Sequence, residues 1–248
     1  MSDHPLSPAP GLLPNSGVGD ATKRAESTMN AIKELIIDQQ LRPGDLLPTE
    51  CKLCEQLGVS RSSVREAIRK LEALNIVSVE HGKGTYVGSL SMEPLVQTLA
   101  FRSILHGSGD FSGLRDVVEV RRYLDLGCAE QVVENLRGTT QPHLQELVHQ
   151  MLVLARQGKA FQEQDVVFHL GLVAGISNVV VKQLIHSLWL VHQAVVPELG
   201  LEITARLEDT ALAHQAMLDA ALAGDLEAYR RAVIVHYEPL EEILRTHL

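Results

Sequence analysis

The chain has 248 residues, 45% of them apolar, 21% charged and only 4% aromatic, which fits a folded, helix-rich globular protein and excludes a disordered or fibrous one. Three cysteines, Cys51, Cys54 and Cys128, are too few for a disulfide framework and suit a reducing compartment. The formal charge of −9 is uneven, because residues 23–89 hold ten Lys and Arg against nine Asp and Glu while residues 90–248 hold twelve against twenty. No apolar run is read as long enough to span a membrane, and no basic segment precedes an apolar one at the N-terminus. The expectation is a cytoplasmic protein with no membrane partner.

Residues 1–21, with Pro5, Pro8, Pro10, Pro14, Gly11, Gly17 and Gly19, show no apolar period and read as a disordered tail. From Thr22 the pattern changes. Met29, Ile32, Leu35 and Ile36 share one helical face, and that helix should end near Gln40, before the turn signal Pro43-Gly44-Asp45. Thr49 is placed to cap a short helix with Leu53, Cys54 and Leu57 inward and Gly58 as its stop. A second helix follows, Ser60 to Leu71, which buries Val64, Ala67, Ile68 and Leu71 and turns Arg61, Arg65 and Arg69 outward beside Ser60, Ser62 and Ser63. Two short helices around a Gly-containing turn are a helix-turn-helix signature, and arginines and hydroxyls on the second helix suit a major groove. The plain alternative for this helix alone is a solvated surface face. Residues 76–80 and 85–87 then flank the turn His81-Gly82-Lys83-Gly84 as a β-hairpin, a wing with a basic, flexible tip.

As a unit, residues 22–88 resemble the winged-helix domain of the GntR superfamily of bacterial transcription regulators. The residues that carry the resemblance are Arg42-Pro43-Gly44-Asp45-Leu46-Leu47-Pro48-Thr49-Glu50, Leu57-Gly58-Val59-Ser60-Arg61-Ser62-Ser63-Val64-Arg65-Glu66-Ala67-Ile68-Arg69 and His81-Gly82-Lys83-Gly84-Thr85-Tyr86-Val87. The resemblance implies that Arg61 and Arg65 read bases, that Ser60, Ser62 and Ser63 contact backbone or bases, and that His81, Gly82 and Lys83 serve the wing. One departure stands out: Cys51 occupies a position where the family commonly has an arginine that grips DNA, which shifts the expected load onto Arg61 and Arg65. Cys51 and Cys54 also form a C-x-x-C, read as packing rather than as a metal or redox pair because no second pair exists.

After a linker at 89–94, residues 95–248 form a run of apolar-periodic segments without strand alternation. The breaks at Gly107-Ser108-Gly109, Gly138, Gly158, Ser177-Asn178, Pro197 and Gly224 predict six or seven helices, near 93–105, 111–135, 140–157, 160–175, 179–195, 198–223 and 225–246. The expected fold class is mainly α: a winged helix-turn-helix with a small β-hairpin wing, then an all-α bundle. Asp165 and His169 lie four apart on one helix face, and His214 and His236 sit on two later helices, so all four can converge on a divalent transition metal, zinc or nickel suiting the donor set without excluding manganese or iron, with packed, hydrogen-bonded core histidines as the alternative from spacing alone. His106, His143, His149, His186 and His192 have no such placement and read as surface or satisfied core residues. Arg121 should face the bundle interior as a carboxylate clamp, with an interhelical ion pair as the alternative and Arg122 the weaker pocket candidate.

These segments also resemble the FCD ligand-binding domain of the FadR subfamily, through Glu119-Val120-Arg121-Arg122-Tyr123-Leu124-Asp125, Asp165-Val166-Val167-Phe168-His169, Ser177-Asn178, His214, Gly224-Asp225 and Ala232-Val233-Ile234-Val235-His236. That resemblance implies a metal site at Asp165, His169, His214 and His236, and a small organic acid effector, a hydroxy acid, sugar acid or other carboxylate, with Arg121 and Asn178 completing its pocket. A homodimeric repressor on a near-palindromic double-stranded DNA operator is the resulting expectation. Two other readings are a regulator whose metal is purely structural and a metal-dependent hydrolase or lyase tethered to DNA. The second lacks a placed general base.

Overall fold

The computed structural model describes residues 20–105, 110–198 and 206–246. The tail expected over 1–21 falls outside these residues up to position 19, as do His106, the Gly107-Ser108-Gly109 break and the segment expected to open a helix at 198 up to position 205. The chain divides into two compact units, residues 1–94 and 95–248.

Three helices and one hairpin build the first unit: α1 (Asp20–Asp38), α2 (Glu50–Leu57), α3 (Arg61–Ala73), β1 (Val77–Glu80) and β2 (Gly84–Val87). Gln40 ends α1 by taking φ 54°, which lets the Leu41 N–H donate to the Ile36 carbonyl at 2.9 Å. Thr49 caps α2, and Gly58 closes it in the left-handed region. Ser60 caps α3 by accepting from the Ser63 N–H at 3.2 Å. The inward stripe of α3 is Val64, Ala67, Ile68 and Leu71, packed with Ile32, Leu53, Val77 and Val87 into one small core. Val77 pairs with Val87 and Glu80 with Gly84 across an antiparallel register. The Pro43-Gly44-Asp45 turn is bonded onto this hairpin, since Gly44 N–H donates to the Val87 carbonyl, Val87 N–H to the Asp45 carbonyl and Leu47 N–H to the Thr85 carbonyl.

Among the described residues the second unit has seven helices: α4 (Glu93–Ile104), α5 (Ser112–Leu136), α6 (Pro142–Arg156), α7 (Gln162–Leu172), α8 (Val179–Glu198), α9 (Leu207–Ala223) and α10 (Leu226–Thr246). α5 and α9 run through the core, and α10 returns against both after Gly224 (φ 78°), with Asp225 accepting from the Ala228 N–H. Pro197, read as a break, instead lies inside the last turn of α8. One turn from the helix end, its missing N–H costs a single bond to the Gln193 carbonyl and does not stop the helix. α8 also corrects the reading that no apolar run reaches membrane-spanning length: it is 20 residues long and an 18-residue stretch of it has a mean hydropathy of 1.3. Ile185, Leu188, Trp189, Val191, Val195 and Val196 spend that apolarity in the bundle core.

Gly88 marks the tightest backbone approach in the first unit, since a Cβ there would lie 2.3 Å from the Asn75 carbonyl oxygen. Gly88→Ala should destabilise the unit by roughly 1–3 kcal/mol in urea unfolding, because backbone must move to admit the methyl. Gly127→Ala, on an exposed position of α5 with open space around it, should stabilise by up to about 1 kcal/mol in the same assay.

Candidate nucleic-acid interface and metal centre

The exposed face of α3 is ordered by its own side chains. Ser60 Oγ lies 2.9 Å from both Ser62 Oγ and Ser63 Oγ, so the three hydroxyls form one cluster at the helix start. Arg65 Nε donates to Glu50 Oε2 at 2.9 Å, which fixes the guanidinium stem from α2 while more than half of the Arg65 side chain stays exposed. Arg61 Nη2 lies 2.9 Å from Cys51 Sγ. Cys51 is therefore no vacancy on α2: its sulfur is a soft acceptor that steadies the neighbouring arginine. Arg24 of α1 joins Arg61, Arg65 and Arg69 around an open concavity of about 630 Å³. Arg24 escaped the sequence reading because its proximity to α3 depends on how α1 packs. At the wing tip His81, Gly82 (φ 78°) and Lys83 are exposed, and Lys83 Nζ is 3.0 Å from Glu80 Oε2, which offsets part of the expected positive charge.

In the second unit, Asp165, His169, His214 and His236 each offer a ligand atom, and these atoms all lie within 4.8 Å of one another. Asp165 and His169 are one turn apart on α7, while α9 and α10 bring His214 and His236. Asp165 Oδ1 is 2.8 Å from His214 Nε2 and 3.4 Å from His169 Nε2. All three imidazoles are buried, with His214 at 0% and His169 at 1% exposure. Thr210 settles the state of one ring: its carbonyl can only accept, so His214 Nδ1, 2.8 Å away, carries a proton. Nε2 of a neutral His214 then presents a lone pair to a carboxylate, an arrangement that calls for a cation between them or a second proton on the ring. His169 Nε2 and His236 Nδ1 are buried without hydrogen-bond partners among the described residues. Three imidazoles and a carboxylate, with lone pairs and unpartnered nitrogens turned to one spot, fit a divalent transition metal. Burial raises the Asp165 carboxyl, yet His214 and His169 together hold it well below the usual carboxylate range. Burial and the two neighbouring histidines push His236 well below the usual imidazole value, leaving it neutral.

Behind these groups stands a layer that the sequence reading missed. Asp125, one turn from Arg121 on α5, is buried, accepts from Tyr237 Oη at 2.7 Å and lies 3.5 Å from His169 Nδ1. A carboxylate on the far nitrogen of a histidine sets its tautomer and orientation. Its sequence signal was available, in the Arg121/Asp125 spacing on one face and in Tyr237 next to His236.

A cavity of about 60 Å³ adjoins the cluster, lined by Arg121, Phe161, Asp165, Trp189, His192 and His236 among others. Arg121 is only 3% exposed, its Nε and Nη1 have no hydrogen-bond partner among the described residues, and its guanidinium lies 3.4 Å over the Trp189 ring. It forms no ion pair with an acid among the described residues, unlike Arg122, which meets Glu241 at 3.3 Å. Asn178 departs from expectation. It is exposed and caps α8, Oδ1 accepting from the N–H groups of Val180 and Val181, so its side chain is committed to the helix start and does not line the cavity. His192 departs the other way: expected on the surface or satisfied in the core, it lines the cavity with Nδ1 buried and unpartnered. His143, His149 and His186 are exposed.

Residues 24–87 match the profile of bacterial regulatory proteins of the gntR family, and residues 116–239 match the FCD domain. The chain belongs to the GntR family. Among its relatives, the HTH-type transcriptional regulator LutR of Bacillus subtilis (strain 168) is 27% identical over 217 residues, 85% of this chain and 96% of that one. The galactonate operon transcriptional repressor of Escherichia coli (strain K12) is 24% identical over 80% of this chain and 87% of its own length. A solved structure of Streptococcus agalactiae GntR superposes with a TM-score of 0.61 at 26% identity, covering 88% of this chain and 99% of that one. This GntR protein is thus a DNA-binding transcription regulator with a winged-helix head and a helical FCD domain, and it is not an enzyme.

Tyr237→Phe removes one of the donors to the buried Asp125 carboxylate while keeping ring volume. It should destabilise the second unit by roughly 1.5–3 kcal/mol, measured by denaturant unfolding, as expected for losing a buried hydrogen bond to a charged acceptor.

Proposed function

We propose that this regulator is a metal-dependent sensor of a small organic or sugar acid, acting as a repressor that releases its operator when the acid binds. The observation that carries the reading is Arg121, a buried guanidinium with two unpartnered N–H groups, set in a cavity beside four metal-competent side chains. Leaving a cation buried without a counter-charge is costly, and a carboxylate ligand removes that cost with a forked pair of hydrogen bonds. Asp165, His169, His214 and His236 would hold the metal, zinc or nickel by donor type, which supplies Lewis acidity toward the same ligand.

On the DNA side, Arg61 and Arg65 read bases, Ser60, Ser62 and Ser63 contact backbone or bases, and His81, Gly82 and Lys83 follow the phosphates or the minor groove. A homodimer presents two such heads to a near-palindromic operator. The effector acts by binding one arrangement of the heads more tightly than the other, since only differential affinity shifts such an equilibrium. The repressor assignment is supported by the relative from E. coli, whose own name is galactonate operon transcriptional repressor. Helical content, charge and family agree with a cytoplasmic protein that has no membrane partner.

Arg65→Ala is expected to lower affinity for an operator selected in vitro with wild-type protein by about 10- to 100-fold, measured by gel shift at fixed salt, with fold and oligomeric state unchanged. Undiminished sequence-specific binding would remove Arg65 from the reading set. For the metal, wild-type protein should retain about one equivalent per chain after dialysis and His214→Ala much less, by elemental analysis of folded material. Carboxylates should raise the melting temperature of metal-loaded wild type and leave chelated protein unmoved. Stabilisation by metal with no response to any carboxylate would identify a purely structural ion.

A further inference from the structure

The open concavity beside α3 is walled on its other side by α1, and that wall carries a guanidinium. We infer that Arg24 is a further DNA contact: it holds a backbone phosphate on a strand bordering the groove that α3 enters, and it does so without reading sequence. This rests on α3 as the reading helix and adds α1 to the interface.

Dimensions give the first reason. An α-helix with its side chains is about 10–12 Å across and the major groove about 12 Å wide, so a helix seated there fills it and brings its flanks against the phosphate strands. Whatever shares the exposed flank of α3 then meets backbone rather than base edges. Arg24 shares that flank. With Ala25 it lines an open space of about 630 Å³ whose remaining walls all belong to α3 and its capping residue Ser60.

Placement is the second. Arg24 sits on a turn that is fastened down, because its neighbour Ala25 and Thr28 one turn on are both buried, and Thr28 Oγ1 donates to the Arg24 carbonyl at 2.8 Å. α1 packs along α3, which holds this turn at a set distance from the reading face while the Arg24 side chain stays exposed. A guanidinium carried on a fixed helix turn gives up less freedom on meeting a phosphate than one on a loose tail, and its fork matches two phosphate oxygens.

Charge is the third. The concavity is lined by four guanidiniums, those of Arg24, Arg61, Arg65 and Arg69, and by a single carboxylate, Glu66, which lies 3.8 Å from Arg69. Glu50 adds a second carboxylate from α2, bonded to Arg65. The lining is therefore positive on a chain whose formal charge is −9. Attraction to DNA depends on cations that reach phosphates locally, so an acidic chain binds through such a face and its affinity falls with salt in proportion to the contacts made.

Fluorescence anisotropy with full-length protein tests this on two duplexes of equal length, an operator selected in vitro and a scrambled sequence, between about 50 and 200 mM salt. Arg24→Gln should weaken both duplexes by the same factor, about tenfold at the lower salt, and reduce the slope of log affinity against log salt by about 0.9 for each head bound. Arg24→Lys keeps the charge and loses the fork, so it should restore the slope and part of the affinity. Arg65→Ala, by contrast, should weaken the operator far more than the scrambled duplex. Unchanged affinity and slope in Arg24→Gln beside a weakened Arg65→Ala would overturn the Arg24 contact and leave the α3 assignment standing. A loss confined to the operator would overturn the phosphate role, because it would make Arg24 a base reader. Failure of Arg24→Lys to restore the slope would also overturn it, pointing to a part in folding instead. If Arg24→Gln and Arg65→Ala both bind the operator like wild type, α3 is not the reading helix and both assignments fall together.

Discussion

Asp165 faces two buried imidazoles, 2.8 Å from His214 and 3.4 Å from His169, in the middle of a bundle whose other contents are almost wholly apolar. That polar knot is the constraint around which the second unit is built. A charge or unpaired ring nitrogen taken out of water costs several kcal/mol unless it finds a partner, so every element that reaches the knot brings one. α9 supplies the Thr210 carbonyl for His214, α5 supplies Asp125 for the far side of His169, and α10 supplies Tyr237 to hold Asp125. The pairings tie four helices together through directional contacts, which an apolar core alone would leave free to slide.

The same accounting leaves a remainder, and the remainder falls where function is expected. His236 Nδ1, Arg121 Nε and Nη1, and His192 Nδ1 have no hydrogen-bond partner among the described residues, and His169 Nε2 has only the 3.4 Å approach of Asp165. Buried polar groups are nearly always satisfied in folded proteins, so a cluster of exceptions around one cavity is what supports the proposed ligand site there. The exposed face of α3 shows the opposite economy. Its arginines are exposed, and their positioning comes from cheap surface contacts with Glu50 and Cys51, which order the side chains while keeping their outer ends available.

Much of the fold was legible because local rules decide it. Thr49, Ser60, Gly58 and Gly224 act as caps through their own side chains or backbone freedom, and the α3 stripe of Val64, Ala67, Ile68 and Leu71 follows from helical period. Pro197 misled because a proline near a helix end costs one hydrogen bond rather than the helix. Within the site, the Asp165/His169 pair was readable from four-residue spacing, and its union with His214 and His236 was one of several convergences that a bundle permits. Asn178 and His192 exchanged roles relative to expectation. A residue that opens a helix is drawn into capping it, whereas the rotation of α8 about its axis, which turns His192 inward, is settled by packing against α5 and α7.

The sequence by itself determined the local periodicities, the caps, the two-unit order and the inventory of chemistry: arginines and serines on one helix, a carboxylate and three histidines spread over three others. Those follow from interactions spanning a few residues, which are encoded where they occur. Only the tertiary structure decided which groups are left without partners. Satisfaction of a buried nitrogen depends on atoms contributed by helices far apart in the chain, as Thr210 does for His214 and Asp125 for His169, and no helix carries that information alone.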